Sequence, residues 1–169
     1  MQEIVPGPAL EAAFRDGMRR LAAAVNVITI CVDGTPMGMT ATAVTSLAAE
    51  PPSLLVCINR SASMHNALLA SSQFAINVLH RDQLLIAQRF SDSKLRDVRF
   101  AEGGWVHDAT AAPYLPDAQV VFGCKLDQFV DFGTHTICIG RVTEVRNRDE
   151  VDPLMYVDGR FSKLLAGET

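Results

Sequence analysis

Gly38-Met39-Thr40-Ala41-Thr42-Ala43-Val44-Thr45-Ser46, followed by Pro51-Pro52 and the apolar run Leu54-Leu55-Val56-Cys57-Ile58-Asn59, decides how this chain is read. Small residues and hydroxyls fill a stretch that has the threonine and valine content of a strand. Without bulk on that strand, the flat face of a ligand can approach the backbone. Hydroxyls and free N–H groups can then hold its polar edge or a phosphate. Composition alone favours an ordinary Thr/Ala-rich strand and turn, and the order of the neighbouring pieces shifts the balance. Ser53 to Ile58 reads as a buried strand ending in Asn59-Arg60-Ser61, and Ser63 reads as the N-cap of a helix opening at Met64.

Upstream, Met1 to Pro8 carries two prolines and a glycine and reads as a loose arm. From Ala9 to Ala24 the apolar positions Leu10, Ala13, Phe14, Met18, Leu21 and Ala22 recur at helical spacing. Val25 to Val32 is a β-branched strand, and Asp33-Gly34 is a hairpin signal that returns the chain over Met37 to Val44. Downstream, Gln73 to Leu79 reads as a strand and Asp82 as the cap of a helix reaching about Phe90. Ser91 to Pro116 reads as loop with a short helix near Asp92 to Arg96. Gln119 to Val130 and Thr134 to Arg146 form two long strands joined by Asp131-Phe132-Gly133. Many strands, glycine turns and few helices predict a mainly β fold, a closed or nearly closed barrel with peripheral helices, in a single domain spanning 1–169.

The bulk properties exclude several classes of function. A hydrophobic fraction of 49% supplies a core, and with aromatics at 7% aliphatic residues must fill it. A net charge of −4 argues against nucleic-acid or anionic-membrane partners, so an anionic ligand needs a local positive pocket. Cys31, Cys57, Cys124 and Cys138 form no CxxC pair and read as small buried hydrophobes suited to a reducing cytoplasm. No basic-then-apolar leader opens the chain, and no apolar run approaches the ~20 residues of a membrane helix. His65, His80, His107 and His135 show no HxH or HExxH spacing, so no metal site is expected. GxSxG and GxGxxG are also missing, which removes the nucleophile-elbow hydrolases and the Rossmann dinucleotide site.

The order of five separated pieces resembles the short-chain flavin reductase family, FMN-binding split-barrel proteins that supply reduced flavin to two-component monooxygenases. The pieces are Gly38 to Ser46, Pro51 to Ser63, Phe90-Ser91-Asp92-Ser93-Lys94, Gly133-Thr134-His135-Thr136 running into Ile139-Gly140-Arg141-Val142, and Tyr156 to Phe161. The resemblance implies a split β-barrel, a homodimer, FMN or FAD as flavin, and NADH or NADPH as reductant. Flavin would be held by Gly38, Met39, Thr40, Ala41, Thr42, Cys57, Ile58, Phe90 and Ser93, with Ser46, Asn59, Ser61, Ser63 and Lys94 toward its phosphate. His135 would lie on the nicotinamide side, and Tyr156, Gly159 and Arg160 would help hold the pyridine nucleotide. An acid at Asp158 disfavours a nearby 2′-phosphate, which leans the reading to NADH.

The reaction so implied is hydride transfer from nicotinamide to flavin, in which the cofactors carry the chemistry and the protein stacks and orients them. His135 is then an orienting and hydrogen-bonding residue rather than an obligatory base. Two other readings stay open at this point. One is a flavin- or haem-binding split barrel that carries or senses without reductase turnover. The other is an interaction domain in which the Thr/Ala segment is only a strand.

Overall fold

The computed structural model describes residues 7–164. Its elements, in chain order, are α1 (Pro8–Arg19), β1 (Ala23–Ala24), β2 (Asn26–Val32), β3 (Thr35–Ala41), β4 (Val44–Ala49), β5 (Pro52–Asn59) and α2 (His65–Ala70). There follow β6 (Gln73–Val78), α3 (Leu84–Ser91), β7 (Val120–Phe132), β8 (His135–Asn147), β9 (Met155–Val157) and β10 (Arg160–Ser162). Tight helical turns at Arg81–Gln83 and Ser93–Val98 flank α3.

Seven strands form one antiparallel sheet in the order β3-β2-β6-β7-β8-β5-β4. Its two edges, β3 and β4, are consecutive in the chain and separated only by Thr42-Ala43. The sheet therefore curls until its edges meet at that link, a barrel split along one seam. Cys57 N–H donates to Ala43 O at 3.0 Å, which ties the link to β5. Asp33 and Gly34, with φ of 49° and 76°, adopt the left-handed pair that a two-residue hairpin requires between β2 and β3. A second sheet, β1-β9-β10, lies outside the barrel.

Burial explains why the β2 sequence does not alternate. Five successive residues, Asn26 to Ile30, are buried, because both faces of the strand are covered. Ile28 and Ile30 join Val56, Ile58, Met64, Leu68, Phe74 and Ile76 in the core inside the barrel. Val25 and Val27 belong to a second core outside it, with Leu79, Ala87, Phe90, Leu115 and Leu154. The buried hydroxyl of Thr29 donates to Pro113 O at 2.5 Å, and Asn77 Oδ1 accepts from Leu115 N–H at 2.9 Å. These two polar side chains hold the 91–116 connection against the barrel.

Several local expectations need correction. The first helix stops at Arg19, because Ala23-Ala24 is drawn into pairing with Tyr156 and Met155. Residues 1–6 of the expected arm lie outside the described residues, and Pro8 already opens α1. The return strand breaks at Thr42-Ala43, and a separate edge strand, β4, follows. Ser63 does not cap α2: the residue before that helix is Met64, with no side-chain cap. Asp82 is not a cap either. His80 stands at that position, and Gln83 Oε1 accepts from its backbone N–H at 2.9 Å. The β7–β8 turn is Gly133-Thr134, since Phe132 already pairs with His135.

Two outcomes follow from this packing. A Cβ on Gly140 would collide with the tip of the Phe74 ring and stand 3.2 Å from Cys124 Cβ, in the middle of the barrel core. Gly140→Ala should therefore destabilise the protein by about 1–3 kcal/mol through overpacking, read as a lowered urea midpoint at unchanged slope. Burial pushes the Cys124 thiol up to about 12 and, with Cys57 and Asp131 nearby, the Cys138 thiol up to about 11. At pH 8 a thiol reagent should modify the half-buried Cys31 and Cys57 and spare Cys124 and Cys138 until the protein unfolds. Equal labelling of all four in peptide mapping would contradict the packing.

Candidate functional site

The two faces of β3 do different work. Met37, Met39 and Ala41 pack toward the barrel core, while Gly38 and Thr40 turn outward to α3. At Gly38 the outward space belongs to a side chain of the protein: a Cβ there would stand 2.6 Å from Phe90 Cε1. Phe90 is buried, edge-on to Phe100 at 5.1 Å and tilted against Trp105 at 5.1 Å. Gly38 is thus small for Phe90 rather than for a ligand, and Phe90 is a core residue rather than a cofactor contact. The side chains of Met39 and Ile58 also face the barrel interior, so those positions can offer a ligand only backbone groups.

Clefts open on either side of this junction. The first, about 400 Å³, is lined by Thr35, Gly38, Ser63, Arg96 and Arg99 among others. Arg99 is buried; its Nη1 donates to Gly38 O at 2.7 Å and its Nη2 to Asp92 O at 3.0 Å. Its Nε is buried with no partner among the described residues. Burial, with Arg96 nearby, lowers the Arg99 pKa from its ordinary value. Two guanidinium groups beside a serine provide the local positive potential that an acidic chain needs for an anion. Neither arginine is among the residues expected at the site, because 91–116 reads as loop with only a short helix near Asp92 to Arg96. Their spacing of three, just after Lys94, was the available signal, since one face of a helical turn then carries both. Lys94 itself is exposed, and its backbone N–H, not its side chain, bonds Asp92 Oδ1 at 2.8 Å.

The second cleft, about 320 Å³, gathers Thr40, Ala41, Thr42, Tyr156 and Gly159, five of the anticipated site residues, together with Ser91. Thr40 Oγ1 donates to Ala87 O at 3.2 Å, which fixes the hydroxyl and leaves its lone pairs free to accept. Tyr156 is held edge-on to Phe161 at 5.4 Å. Asp158 and Gly159, with φ of 51° and 76°, make the tight turn between β9 and β10. The Arg19 guanidinium covers the Gly159 backbone, its Nη2 standing 2.7 Å from the place a Cβ would take. Asp158 is paired to Arg160 at 2.7 Å and Arg19 at 3.4 Å, and these partners lower its pKa. Its charge is therefore compensated, and the repulsion of a 2′-phosphate expected from this acid loses its physical basis.

A third group sits at the hairpin mouth. Asn59 and His135 face each other across β5 and β8. Asn59 Oδ1 accepts from the Ser61 N–H at 2.9 Å and the Ser61 hydroxyl at 2.8 Å. His135 is exposed, with Nδ1 at 2.9 Å from Thr134 Oγ1. Ser63, four residues beyond Asn59, lines the arginine cleft, so the loop from Asn59 to Ser63 runs from His135 to that cleft. Ser46 lies exposed on edge strand β4, and Cys57 is half-buried on β5. Ser46, Cys57, Ser93, Lys94, Arg160 and His135 line neither cleft.

The donor set suits a phosphorylated, flat, polar-edged ligand. An orphaned buried guanidinium N–H, a second arginine and serine hydroxyls fit an anionic end, and the threonine hydroxyls with Tyr156 fit a ring. Comparison with known proteins narrows the class. The family described as Flavin reductase like domain matches residues 18–165. FMN reductase (NADH) RutF of Pseudomonas syringae pv. syringae is 41% identical over 154 residues, covering 91% of this chain and 86% of that protein. The reductase component of the FADH(2)-dependent resorcinol hydroxylase of a Rhizobium species is 39% identical over 150 residues, covering 88% and 84%. Among solved structures, BorF, the flavin reductase component of a bacterial two-component tryptophan halogenase, matches with TM-score 0.83 at 32% identity, over 93% of this chain and 99% of that one. Streptomyces globisporus NADH:FAD oxidoreductase SgcE6, in complex with NAD and FAD fragments, matches with TM-score 0.85 at 27% identity, over 96% and 98%. In sequence along nearly its whole length, and in the barrel those residues build, the chain belongs to the flavin reductase like domain family.

Proposed function

We propose that this protein uses NADH to reduce FMN or FAD and hands the reduced flavin to a separate oxygenase. Family membership carries NAD(P)H-dependent flavin reduction. The observation in the molecule that supports it best is the pair of clefts flanking Gly38 to Thr42, one cationic and one lined by hydroxyls and Tyr156. The choice of NADH draws on the relatives named as NADH-dependent, not on Asp158. Residues 1–169 act as one reductase unit.

Bound flavin supplies the hydride-accepting ring system. The protein's own groups bind and orient. Ser63, Arg96 and Arg99 hold the phosphate end, and the Asn59 to Ser63 loop carries the polar chain between phosphate and ring. Backbone groups of Gly38 to Thr42 and the hydroxyls of Thr40 and Thr42 meet the polar edge of the ring, where fixed dipoles stabilise developing negative charge. His135, at the open end of this path, orients the nicotinamide by hydrogen bonding. Tyr156 and Arg160 hold the remainder of the dinucleotide.

The acting form is a homodimer. The outer face of β4, β5, β8 and β7 carries Leu55, Cys57, Ile137, Ile139 and Val130, with the exposed Phe132 at its end. Apolar sheet surface of this kind on a small barrel calls for a cover. Four free cysteines suit a reducing cytoplasm. Among the described residues no helix is long and apolar enough to cross a membrane.

Anaerobic stopped-flow mixing with NADH and either FMN or FAD tests the activity. Loss of NADH absorbance with flavin bleaching is expected, and flavin binding without bleaching by NADH or NADPH would favour a carrier. His135→Ala should lower kcat/KM for NADH about tenfold, the worth of one hydrogen bond, while flavin Kd stays within about twofold. Unchanged reduction kinetics would remove His135 from the site. Asp158→Asn should unmask Arg19 and Arg160 and raise kcat/KM for NADPH by up to about fivefold, the modest effect expected of exposed charge pairs. Light scattering should return twice the chain mass, and Val130→Asp with Ile137→Asp should return one.

A further inference from the structure

We propose that His80, Glu150 and Asp152 form a zinc site, away from both clefts, that clips the segment before β9 to the end of β6. The backbone there is fixed without help from these side chains. Leu154 N–H donates to Leu79 O at 2.8 Å, Arg81 N–H donates to Asp152 O at 2.9 Å, and His80 bridges to Pro153. The Gln119 amide spans the same segment, accepting from Asp152 N–H at 2.7 Å and donating to Glu150 O at 3.0 Å.

Onto this frame converge one imidazole and two carboxylates. His80 is 3% exposed, and its Nδ1 lies 2.7 Å from Asp82 Oδ1. Nδ1 is thereby engaged by the carboxylate, so in the neutral ring with its proton on Nδ1 the atom offered to a metal is Nε2. Nε2 is buried with no hydrogen-bond partner among the described residues, 4.0 Å from Glu150 Oε2. Asp152 Oδ1 is buried and equally without a partner, while Oδ2 is held by Arg81 Nη1 at 2.9 Å. One potential ligand atom from each of His80, Glu150 and Asp152 lies within 4.8 Å of the other two. Arg148 is shared between Asp82 at 3.4 Å and Glu150 at 4.0 Å. Two buried atoms without a hydrogen-bond partner, His80 Nε2 and Asp152 Oδ1, thus stand beside a carboxylate that can swing toward them, the donor set of a cation site.

The chemistry of the set selects the ion. A neutral imidazole whose other nitrogen donates to a carboxylate is how zinc-binding histidines are oriented and made more basic. One nitrogen and two carboxylate oxygens satisfy zinc at about 2.0–2.2 Å per bond and leave a fourth position to water. The contraction this requires falls mainly to Glu150, whose side chain is 65% exposed and free to swing inward. Sequence spacing hides the site, because the histidine and the two acids sit on distant segments brought together by one β-bridge. The ion would brace the stretch that runs directly into β9 and so into Tyr156.

Isothermal titration of chelator-treated full-length protein with zinc chloride tests this, with cobalt(II) as the coloured substitute. One ion per chain is expected, with cobalt d–d absorption of a low-symmetry nitrogen–oxygen site. Glu150→Gln, an exposed substitution, should weaken binding at least about tenfold, and Glu150→Gln with Asp152→Asn should abolish it. Zinc should raise the thermal midpoint of the natural protein and not of the double variant. Failure of the natural protein to take up zinc or cobalt at 100 μM would overturn the proposal, as would uptake unchanged by Glu150→Gln in a variant of unchanged far-ultraviolet circular dichroism.

Discussion

The contact of the Phe90 ring with the bare backbone of Gly38 is the junction on which the molecule turns. The barrel and its outer helical layer meet there, and neither surface is curved enough to tolerate a side chain between them. Arg99 closes the junction by bonding the carbonyl of the same glycine, and its Nη2 reaches back to Asp92 at the foot of α3. The guanidinium stays buried because those carbonyls and the Phe90 face, 5.7 Å away, replace its water. The clefts on each side are the spaces left where this tight contact ends. A cationic hollow and a hydroxyl-lined hollow thus share one wall, which suits a ligand with a phosphate at one end and a ring at the other.

Much of this was legible in the sequence, because strands buried on a single pattern announce themselves. β2, β5, β6, β7 and β8 were read within a few residues, and the Asp33-Gly34 turn fell where two left-handed residues must stand. What escaped were features that depend on partners distant in sequence. The helix was drawn too long because Ala23-Ala24 has no periodicity of its own and takes its conformation from Tyr156 and Met155. Gly38 and Phe90 were both placed at the ligand, though each is explained by the other. Arg96 and Arg99 were passed over because nothing local says that a polar connection will fold back against β3. Asp158 misled for a similar reason: its two cations come from α1 and β10.

The apolar residues left outside also divide into kinds. Those on the outer sheet face, Leu55, Ile137, Ile139 and Val130, stand on paired positions of β5, β8 and β7. Those of α1, Leu10, Phe14 and Met18, recur at helical spacing and stay exposed, and Phe14 and Met18 line a cleft with the β9–β10 turn. The hairpin is therefore shielded on one side only, and its firmness depends on the bonds it makes to β1 and on whatever grips the segment before it.

The two-residue link between the edge strands has a consequence for how such a protein can diverge. Because Thr42-Ala43 carries the chain from one lip of the barrel to the other, an insertion there would pry the lips apart, and a deletion could not span them. Variation in length is thereby shut out of the wall of the site. It is left instead to the 101–119 connection, which lines neither cleft, and to the C-terminal hairpin, which lines the second through Tyr156, Gly159 and Phe161. A lineage built on this plan can exchange one large bound molecule for another by redrawing its rim while the seam stays constant.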